Sequence, residues 1–332
     1  MEHKRLDDIS PRAWEHPADT AALTALKQVP GLSDVVKFFL GMTGEKSIRL
    51  IFLGSSVRVS ERQFPRINAL AEEACRVLDL ADRPEIYVTQ NPALNAGAVG
   101  AKRPFVTLNS SLLDTLDDEE TLAVIAHEIG HIMSGHVLYK TLLWFLLNIA
   151  AVAVRIPVAQ IVLLGVLMAL REWDRKSELS ADRAGLLVVQ NPEVSKTVLM
   201  KLAGGKHIEE MNLDEFHRQA DEYESGGDVM DGIYKVLNVL GQSHPFPVLR
   251  LKAIDDWATT GSYQSILAGD YPARNSTEED FARDFSEASR QYREDLKGSK
   301  DPFAQTVSNV SEGLENAAKE AAKFFGNMFG GQ

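Results

Sequence analysis

Residues 127–131 read His-Glu-Ile-Gly-His, an HExxH pentapeptide inside a strongly helical apolar stretch. On an α-helix, residues four apart lie on one face, so His127 and His131 can reach a single metal ion. Glu128 follows the first histidine directly, which places its carboxylate beside the open coordination position of that ion, where a water would bind. The pentapeptide therefore predicts a helix that carries two zinc ligands and a general base.

The surrounding residues predict that this helix begins near Asp118 and runs past His131. The acidic residues at 117–120 suit a helix N-terminus and its dipole, and the first and last of them match a capping box. Apolar residues then recur at helical spacing, namely Leu122, Ile125, Ile129, Ile132 and Met133. On a continuous helix, His136 would lie on a different face from His127 and His131. We therefore expect it to be an ordinary helix-end histidine and not a ligand.

A catalytic zinc ion takes three protein ligands and one exchangeable water, so a third ligand is needed. Glu178 and Asp182 are four residues apart and share one face of a second predicted helix. Glu178 could bind the metal, while Asp182 could accept the second N–H of a ligating histidine and so fix the orientation of its ring. The alternative is that both are solvated charges on a surface helix.

The chain resembles the HtpX-like and CAAX-prenyl-protease group of gluzincin metallopeptidases in four elements. They are HEIGH at 127–131, ELSADRAG at 178–185, Ser243-His244-Pro245, and Arg250. The likeness begins near Val59 with SERQFPRINALAEEA, continues through Asn95-Ala96-Gly97-Ala98 and ends near Asp256, so that it covers about two hundred residues. The HExxH and ExxxD motifs are specific in combination.

This resemblance implies a zinc endopeptidase that acts on polypeptides, with an α+β, mainly α, gluzincin-type core and a small β-sheet. The ligands that it implies for one zinc ion per chain are His127, His131 and Glu178. It also implies that Glu128 is the base, and that His244 stabilises the oxyanion of the tetrahedral intermediate. Asp182 and Arg250 are expected to contact the ligand side chains and not the metal itself.

Two other functions fit parts of the sequence. A metal-bound scaffold or chaperone-like protein could keep the site but turn over little, although the intact Glu128 argues against it. A prenyl-peptide protease is a narrower enzymatic alternative. Its enclosed intramembrane chamber would need several full membrane spans, and this chain offers at most a short hairpin.

Short β-rich runs at 85–89 and 105–108 predict two strands. The segment between them, from Asn95 to Val99, fits equally well an edge strand that offers its backbone to an extended peptide and an ordinary loop. By the resemblance, the substrate-binding strand consists of Asn95, Ala96, Gly97 and Ala98, and Gly97 stands where family members often have a bulkier residue. We also expect a strand at 48–53 and an apolar helix over 67–78 that buries Cys75.

The segment 141–170 is almost entirely apolar and long enough for one membrane crossing of about twenty residues. A single crossing, however, would separate His131 from Glu178, which could then not share one zinc ion. A break at Arg155-Ile156-Pro157 gives two helices of roughly fifteen residues, each about 22 Å long and shorter than a bilayer core. The segment is therefore expected to form a helical hairpin that either enters one leaflet or packs on the protein.

Three regions follow from the pattern: an N-terminal extension (1–45), the metallopeptidase domain (46–260), and a charged segment with a C-terminal amphipathic helix (261–332). The narrow apolar seam at 303–329 predicts a docked or partner-binding helix. A net charge of −12 without a basic patch argues against nucleic acid as a partner. The N-terminus lacks the apolar core of a signal peptide, so we expect a cytoplasmic protein whose active site lies on the cytoplasmic side of any membrane it contacts.

Overall fold

The computed structural model describes residues 3–27, 32, 36, 45–150, 157–225, 244 and 246–274. Eleven α-helices lie in these ranges: α1 Pro17–Lys27, α2 Glu45–Ser55, α3 Pro65–Val77, α4 Ser110–Thr115, α5 Asp118–Met133, α6 Val137–Ala150, α7 Pro157–Val189, α8 Pro192–Gly204, α9 Leu213–Ser225, α10 Pro247–Thr259 and α11 Ser262–Ala268. The strands are β1 Val57–Arg58, β2 Ile86–Thr89, β3 Ala96–Val99 and β4 Phe105–Asn109. The predicted class, α+β and mainly α with a small sheet, is confirmed.

The four strands form one sheet in the order β1-β2-β4-β3. The β2 and β4 strands are parallel, with Ile86 opposite Val106, while β1 and β3 run antiparallel to their neighbours. The strands predicted at 85–89 and 105–108 are thus present. Between them, Ala96–Val99 forms a strand and not a loop, and it is the last strand of the sheet on its side.

The strand expected at 48–53 is wrong, because these residues lie in helix α2. The run contains consecutive apolar residues, which suggested a strand, but it also has apolar residues at helical spacing. Ile48 and Phe52, four residues apart, share one helical face. The Phe52 ring contacts Tyr87 and Phe105, with ring centroids 6.2 and 5.1 Å away. Packing on the aromatic side chains of the sheet therefore favours the helix over a fifth strand.

Helix α5 begins as predicted, with a capping box. The Asp117 carboxylate accepts a hydrogen bond from the Glu120 backbone N–H, and the Glu120 carboxylate accepts one from the Asp117 N–H, both 2.9 Å long. Lys201 of α8 pairs with the same Glu120 at 2.7 Å. All residues from Glu120 to His131 are buried, so α5 is the central helix of the fold and not one of its surface helices.

Two glycines allow α5 and α7 to cross at close range. A Cβ atom on Gly130 of α5 would lie 2.6 Å from the Ala184 Cβ, and one on Gly185 of α7 would lie 3.0 Å from the Ala123 carbonyl oxygen. Because the two helix backbones approach this closely, side chains that flank the crossing point from either helix share one small space. His127, His131 and Glu178 all belong to this crossing.

The apolar insert is built from α6 and the first part of α7. Residues 151–156 lie outside the described ranges, and with them most of the bend expected at 155–157. The second helix is 33 residues long, about 50 Å, since it continues without a break through Glu178. The part of the chain that the structure describes contains no helix with the length and apolarity needed to cross a bilayer.

The N-terminal segment is packed into both cores. Leu6, Ile9 and Trp14 are fully buried in the main core, beside α3, α5 and the sheet. Helix α1 belongs to a second apolar cluster with α6 and α7, whose buried residues are Ala21, Ala22, Leu26, Leu32, Leu142, Leu143, Leu146, Val166, Leu167, Leu170 and Trp173. The predicted burial of Cys75 is confirmed. The helix expected at 303–329 lies outside the described residues.

Replacing Gly130 by alanine should lower the free energy of unfolding by about 1–3 kcal/mol, because the new methyl group forces α5 away from Ala184. Helix propensity alone would favour alanine by about 1 kcal/mol, so a loss reports the steric contact. Urea unfolding monitored by circular dichroism measures this difference.

Gly97→Ala is the matched control, because a Cβ atom there would lie 3.7 Å from Thr107 Oγ1, an ordinary contact. This variant should keep the wild-type stability or gain up to about 1 kcal/mol. Wild-type stability in Gly130→Ala would show that the helices can separate without cost.

Candidate metal centre

The structure brings the three predicted ligands together at the crossing of α5 and α7. Glu178 Oε1 lies 3.2 Å from His131 Nε2, and Glu178 Oε2 lies 3.4 Å from His127 Nε2. One ligand atom from each of the three residues can be chosen so that all lie within 4.8 Å of one another. All three side chains are buried, so Glu178 is not a solvated charge on a surface helix.

These distances and donor types fit a zinc ion. Two ligands of a tetrahedral zinc with bonds of about 2.0–2.1 Å are separated by roughly 3.3 Å, close to the two distances above. The buried His127 Nε2 has no hydrogen-bond partner among the described residues, a condition that costs about 1–3 kcal/mol in a protein interior. Two imidazoles and a carboxylate form a ligand set of catalytic zinc sites.

Glu128 faces the same space, and its carboxylate makes no hydrogen bond within the described residues. The side chain is 1% exposed, and both of its oxygens lack a hydrogen-bond partner there. His244 Nε2 lies 3.7 Å from Glu128 Oε1. A buried carboxylate with both oxygens unused beside a candidate metal site has the position that a general base requires.

Asp182 contacts the ring of His127. The His127 Nδ1–H donates to Asp182 Oδ1 at 3.0 Å, which leaves Nε2 with its lone pair directed at the ligand cluster. Arg250 donates to both oxygens of Asp182, at 2.7 and 2.6 Å. Burial alone would raise the pKa of Asp182, but Arg250 and His127 hold it below its ordinary value.

The carboxylates also act on the ring of His127. Burial alone would lower the pKa of His127, but Asp182 and Glu178 raise it to about 9. The two carboxylates therefore favour a positive charge at this ring, which either a proton or a metal ion can supply.

Glu178 is surrounded by cationic and N–H groups. Lys140 Nζ donates to Glu178 Oε1 at 2.6 Å, while His244 Nδ1 and Arg250 Nη1 lie 2.6 and 3.1 Å from Oε2. Burial would raise the pKa of Glu178, but His244, Lys140 and Arg250 hold it well below its ordinary value. Glu178 is therefore ionised at neutral pH, which is the state that binds a metal.

Sequence reasoning missed Lys140 and its second partner, Asp174, which lies 2.8 Å from Lys140 Nζ. Two signals were available. Lys140 is a cation next to the long apolar segment, a position where an unpaired charge is costly. Asp174 precedes Glu178 by four residues, just as Glu178 precedes Asp182, so that the three acids form one stripe on α7.

His136 is not the ordinary helix-end histidine that the sequence suggested. Helix α5 ends at Met133, and Gly135 with a φ of +71° turns the chain back, so the helical geometry used for the prediction does not extend to this residue. His136 is 2% exposed, and its Nδ1 lies 3.0 Å from His131 Nδ1. Its Nε2 lies 3.1 Å from a carboxylate oxygen of Asp19, a residue of α1.

His244 connects the metal centre to the sheet. Its Nε2–H donates to the Ala96 carbonyl oxygen of β3 at 2.9 Å. The Asn109 N–H donates to the Asn95 carbonyl oxygen. Because hydrogen-bonded and non-hydrogen-bonded residue pairs alternate along two antiparallel strands, the N–H and C=O of Ala96 point away from β4, towards the free edge of the sheet. Asn95 and Ala96 line the cavity beside the cluster; Gly97 and Ala98 continue the strand beyond it.

The cavity has a volume of about 490 Å³ and two kinds of wall. One wall carries charged and imidazole groups, namely His127, Glu128, Asp182, His244 and Arg250. The other is apolar, and its larger side chains are Leu94, Leu112, Val124, Val198, Leu199 and Leu202. A cleft that combines an edge strand, a reactive cluster and an apolar wall is suited to an extended chain with apolar side chains.

The chain is similar to known peptidases, both in a family comparison and in direct sequence comparisons. The family model described as Peptidase family M48 matches residues 61–258. The chain is 35% identical over 266 residues to the plastoglobule-localized metallopeptidase 48, chloroplastic, of Arabidopsis thaliana, covering 78% of this chain and 76% of that protein. It is 25% identical over 170 residues to protease HtpX homolog 2 of Methanosarcina mazei, and 33% identical over 104 residues to protease HtpX of Escherichia coli O127:H6.

The two HtpX alignments cover 44% and 31% of this chain, and 58% and 35% of those proteins. The chain thus spans less than two thirds of either HtpX relative. No solved structure matches the chain at a comparable level.

Arg250→Met should lower the free energy of unfolding of the metal-free protein by about 3–5 kcal/mol, because it leaves the buried Asp182 without its bidentate partner and removes a cation from Glu178. The matched control on the same helix is Lys252→Met. Lys252 pairs with the exposed Asp221 and Glu224 at 2.6 and 2.8 Å, so its loss should cost at most about 1 kcal/mol. Denaturant unfolding in the presence of a chelator compares the two, and equal losses would contradict the role given to Arg250.

Proposed function

The chain belongs to peptidase family M48 and is a metallopeptidase, and we propose that it is a zinc-dependent endopeptidase that cleaves peptide bonds within proteins. We assign one zinc ion per chain to His127, His131 and Glu178. The observation that supports this assignment most strongly is the meeting of these three buried side chains at one helix crossing, with the unpartnered Glu128 carboxylate beside them.

Each group of the site has a defined task in hydrolysis. The zinc ion, when bound, acts as a Lewis acid towards the scissile carbonyl group and lowers the pKa of water. Glu128 accepts the proton of the attacking water and passes it to the leaving amine as the peptide bond breaks. Its 1% exposure keeps bulk water from its oxygens, so that the proton is held within the site between the two steps.

The substrate is held by the free edge of β3. An extended peptide that adds to this edge pairs with the backbone of Ala96 and needs no particular side chain there. Its N–H competes for the Ala96 carbonyl oxygen that His244 Nε2 contacts at 2.9 Å in the free protein. Substrate binding therefore releases the His244 N–H for the oxyanion of the tetrahedral intermediate, the role expected for this residue.

The alternatives named above have less support. A metal-bound scaffold has no use for a buried, unpartnered Glu128, since burial of such a carboxylate is costly. A prenyl-peptide protease needs an enclosed chamber of membrane-spanning helices, and the described ranges contain none. Soluble polypeptides or unfolded segments are therefore the substrate class that fits an open cleft with an edge strand.

The proposed contact with a membrane is made by the insert at 141–170, and it requires that both arms of the insert reach the same lipid surface. Both arms leave the metal centre on the same side, because α6 and α7 both contribute residues to it, Lys140 and Glu178. One relative is named as a plastoglobule-localized, chloroplastic protein. We propose that this chain lies on the cytoplasmic face of a membrane, with its insert in one leaflet and its active site in the aqueous phase.

Two substitutions separate metal binding from catalysis. Glu178→Ala should lower the zinc content of the purified protein sharply, because two imidazoles alone hold zinc weakly. Glu128→Gln should keep one zinc per chain while hydrolysis of unfolded casein falls by at least about a hundredfold, since an amide cannot accept the proton. Mass spectrometry of the metal and release of labelled peptides measure the two properties.

His244→Ala is the intermediate case, with full zinc content and a turnover reduced by about ten- to a thousandfold, as for the loss of one oxyanion donor. Unchanged zinc in Glu178→Ala would remove Glu178 from the ligand set. Near-normal casein hydrolysis by Glu128→Gln would rule out the proposed mechanism.

The membrane contact predicts that the protein floats with phosphatidylcholine vesicles in a density gradient. Trp144 of α6 is 56% exposed, and its exchange for glutamine should reduce the bound fraction several-fold, since indole rings favour the lipid interface. Val57→Gln in β1, which replaces a side chain that is 41% exposed, is the control and should bind as the wild type does. A wild-type protein that stays unbound at all lipid concentrations would favour packing of the insert on protein.

A further inference from the structure

A buried chain of close polar contacts runs from His131 to the N-terminal helix α1. His131 Nδ1 lies 3.0 Å from His136 Nδ1, and His136 Nε2 lies 3.1 Å from Asp19 Oδ2. The three side chains are 0%, 2% and 1% exposed. They are separated by up to 117 residues in the sequence, and Asp19 lies outside the stretch 61–258 that the family model matches.

Asp19 fixes the direction of this chain of contacts, because the two side-chain hydrogen bonds that it makes within the described residues both come from donors. The Trp173 Nε1–H donates to Oδ1 at 3.1 Å, and the Ser180 hydroxyl donates to Oδ2 at 2.5 Å. The Ser180 oxygen in turn accepts the backbone N–H of His16 at 2.9 Å, so its proton is available for Asp19. The carboxylate is thus an acceptor held in place from three sides.

With Asp19 as the acceptor, only one arrangement of protons satisfies both neutral rings. His136 then carries its proton on Nε2, which lies 3.1 Å from Asp19 Oδ2, and keeps an unprotonated Nδ1. That nitrogen accepts the Nδ1–H of His131, which leaves the lone pair of His131 on Nε2, the atom that faces Glu178. An imidazole that binds a metal through Nε2 needs this tautomer.

We propose that Asp19 and His136 are positioning residues that hold His131 as a zinc ligand and thereby make helix α1 part of the metal centre. The inference rests on the proposed zinc-dependent function. Each ligand histidine then has its own carboxylate: Asp182 acts directly on His127, and Asp19 acts on His131 through a second imidazole. The N-terminal segment contributes to metal binding as well as to the apolar core.

The experiment compares pairs of variants by zinc affinity, which competition with a chromophoric chelator measures without any assay of activity. His136→Leu removes both polar contacts of this ring, whereas His136→Gln keeps one acceptor and one donor at this position. The leucine variant should bind zinc about 10- to 100-fold more weakly than the wild type, as for the loss of other groups that orient a ligand. The glutamine variant should recover most of that loss.

Asp19→Asn should also weaken zinc binding, by about tenfold or more, since an amide has one acceptor oxygen where three donors converge. Its control on the same helix is Leu26→Ala, at a site that is 2% exposed in the second core. Leu26→Ala should lower the melting temperature but leave zinc affinity unchanged, which separates the stability of α1 from its effect on the metal.

The outcomes distinguish the two proposals. The positioning role is supported if zinc binds more weakly to His136→Leu and Asp19→Asn, while His136→Gln recovers most of the affinity. Leu26→Ala should bind zinc with the affinity of the wild type. A wild-type protein that binds zinc, with both His136→Leu and Asp19→Asn within twofold of its affinity, overturns the positioning role and leaves the proposed function intact. A wild-type protein that binds no zinc overturns both.

Discussion

The structure depends above all on the close approach of α5 and α7 at Gly130 and Gly185. A methyl group at Gly130 would lie 2.6 Å from Ala184, so this contact allows no larger residue without movement of a helix. The HExxH spacing places two imidazoles on one face of α5, and the crossing brings the carboxylate of Glu178 from α7 within 3.2 Å of the second imidazole. The glycine at the fourth position of the pentapeptide thus has a structural reason, and the ligand cluster is a direct consequence of the packing of two helices.

Burial of several carboxylates and histidines at this crossing requires compensation, because isolated charges are strongly disfavoured in a protein interior. The compensation comes from separate parts of the chain. Arg250 of α10 pairs with Asp182 and Glu178, Lys140 of α6 pairs with Glu178 and Asp174, and Asp19 of α1 lies 3.1 Å from His136 Nε2. The apolar insert and the N-terminal segment are consequently tied to the site by polar contacts as well as by the second apolar core.

Local patterns made the centre of the fold predictable. The capping box at Asp117, the apolar spacing of α5, and the four-residue interval from Glu178 to Asp182 each follow from helix geometry alone, and the structure agrees with all three. Where the sequence reasoning failed, the cause was a tertiary contact in one case and a turn that ends the helix in the other. Residues 48–53 are helical because Phe52 packs on Tyr87 and Phe105 of the sheet, and His136 approaches His131 because the chain turns at Gly135. No interval in the sequence connects Asp19 with His136, since only the packing of α1 on α7 brings them together.

The central claim is that His127, His131 and Glu178 form one zinc site, and diffraction from crystals of the zinc-loaded protein at the zinc absorption edge tests it most directly. The prediction is one anomalous peak per chain at about 2.0–2.2 Å from His127 Nε2, His131 Nε2 and an oxygen of Glu178. Two other groups in the described residues could hold a metal: His127 with Glu128 and His244, and the exposed His207 with Glu209 and Glu210. A principal peak at either of these, with none at the helix crossing, would contradict the claim.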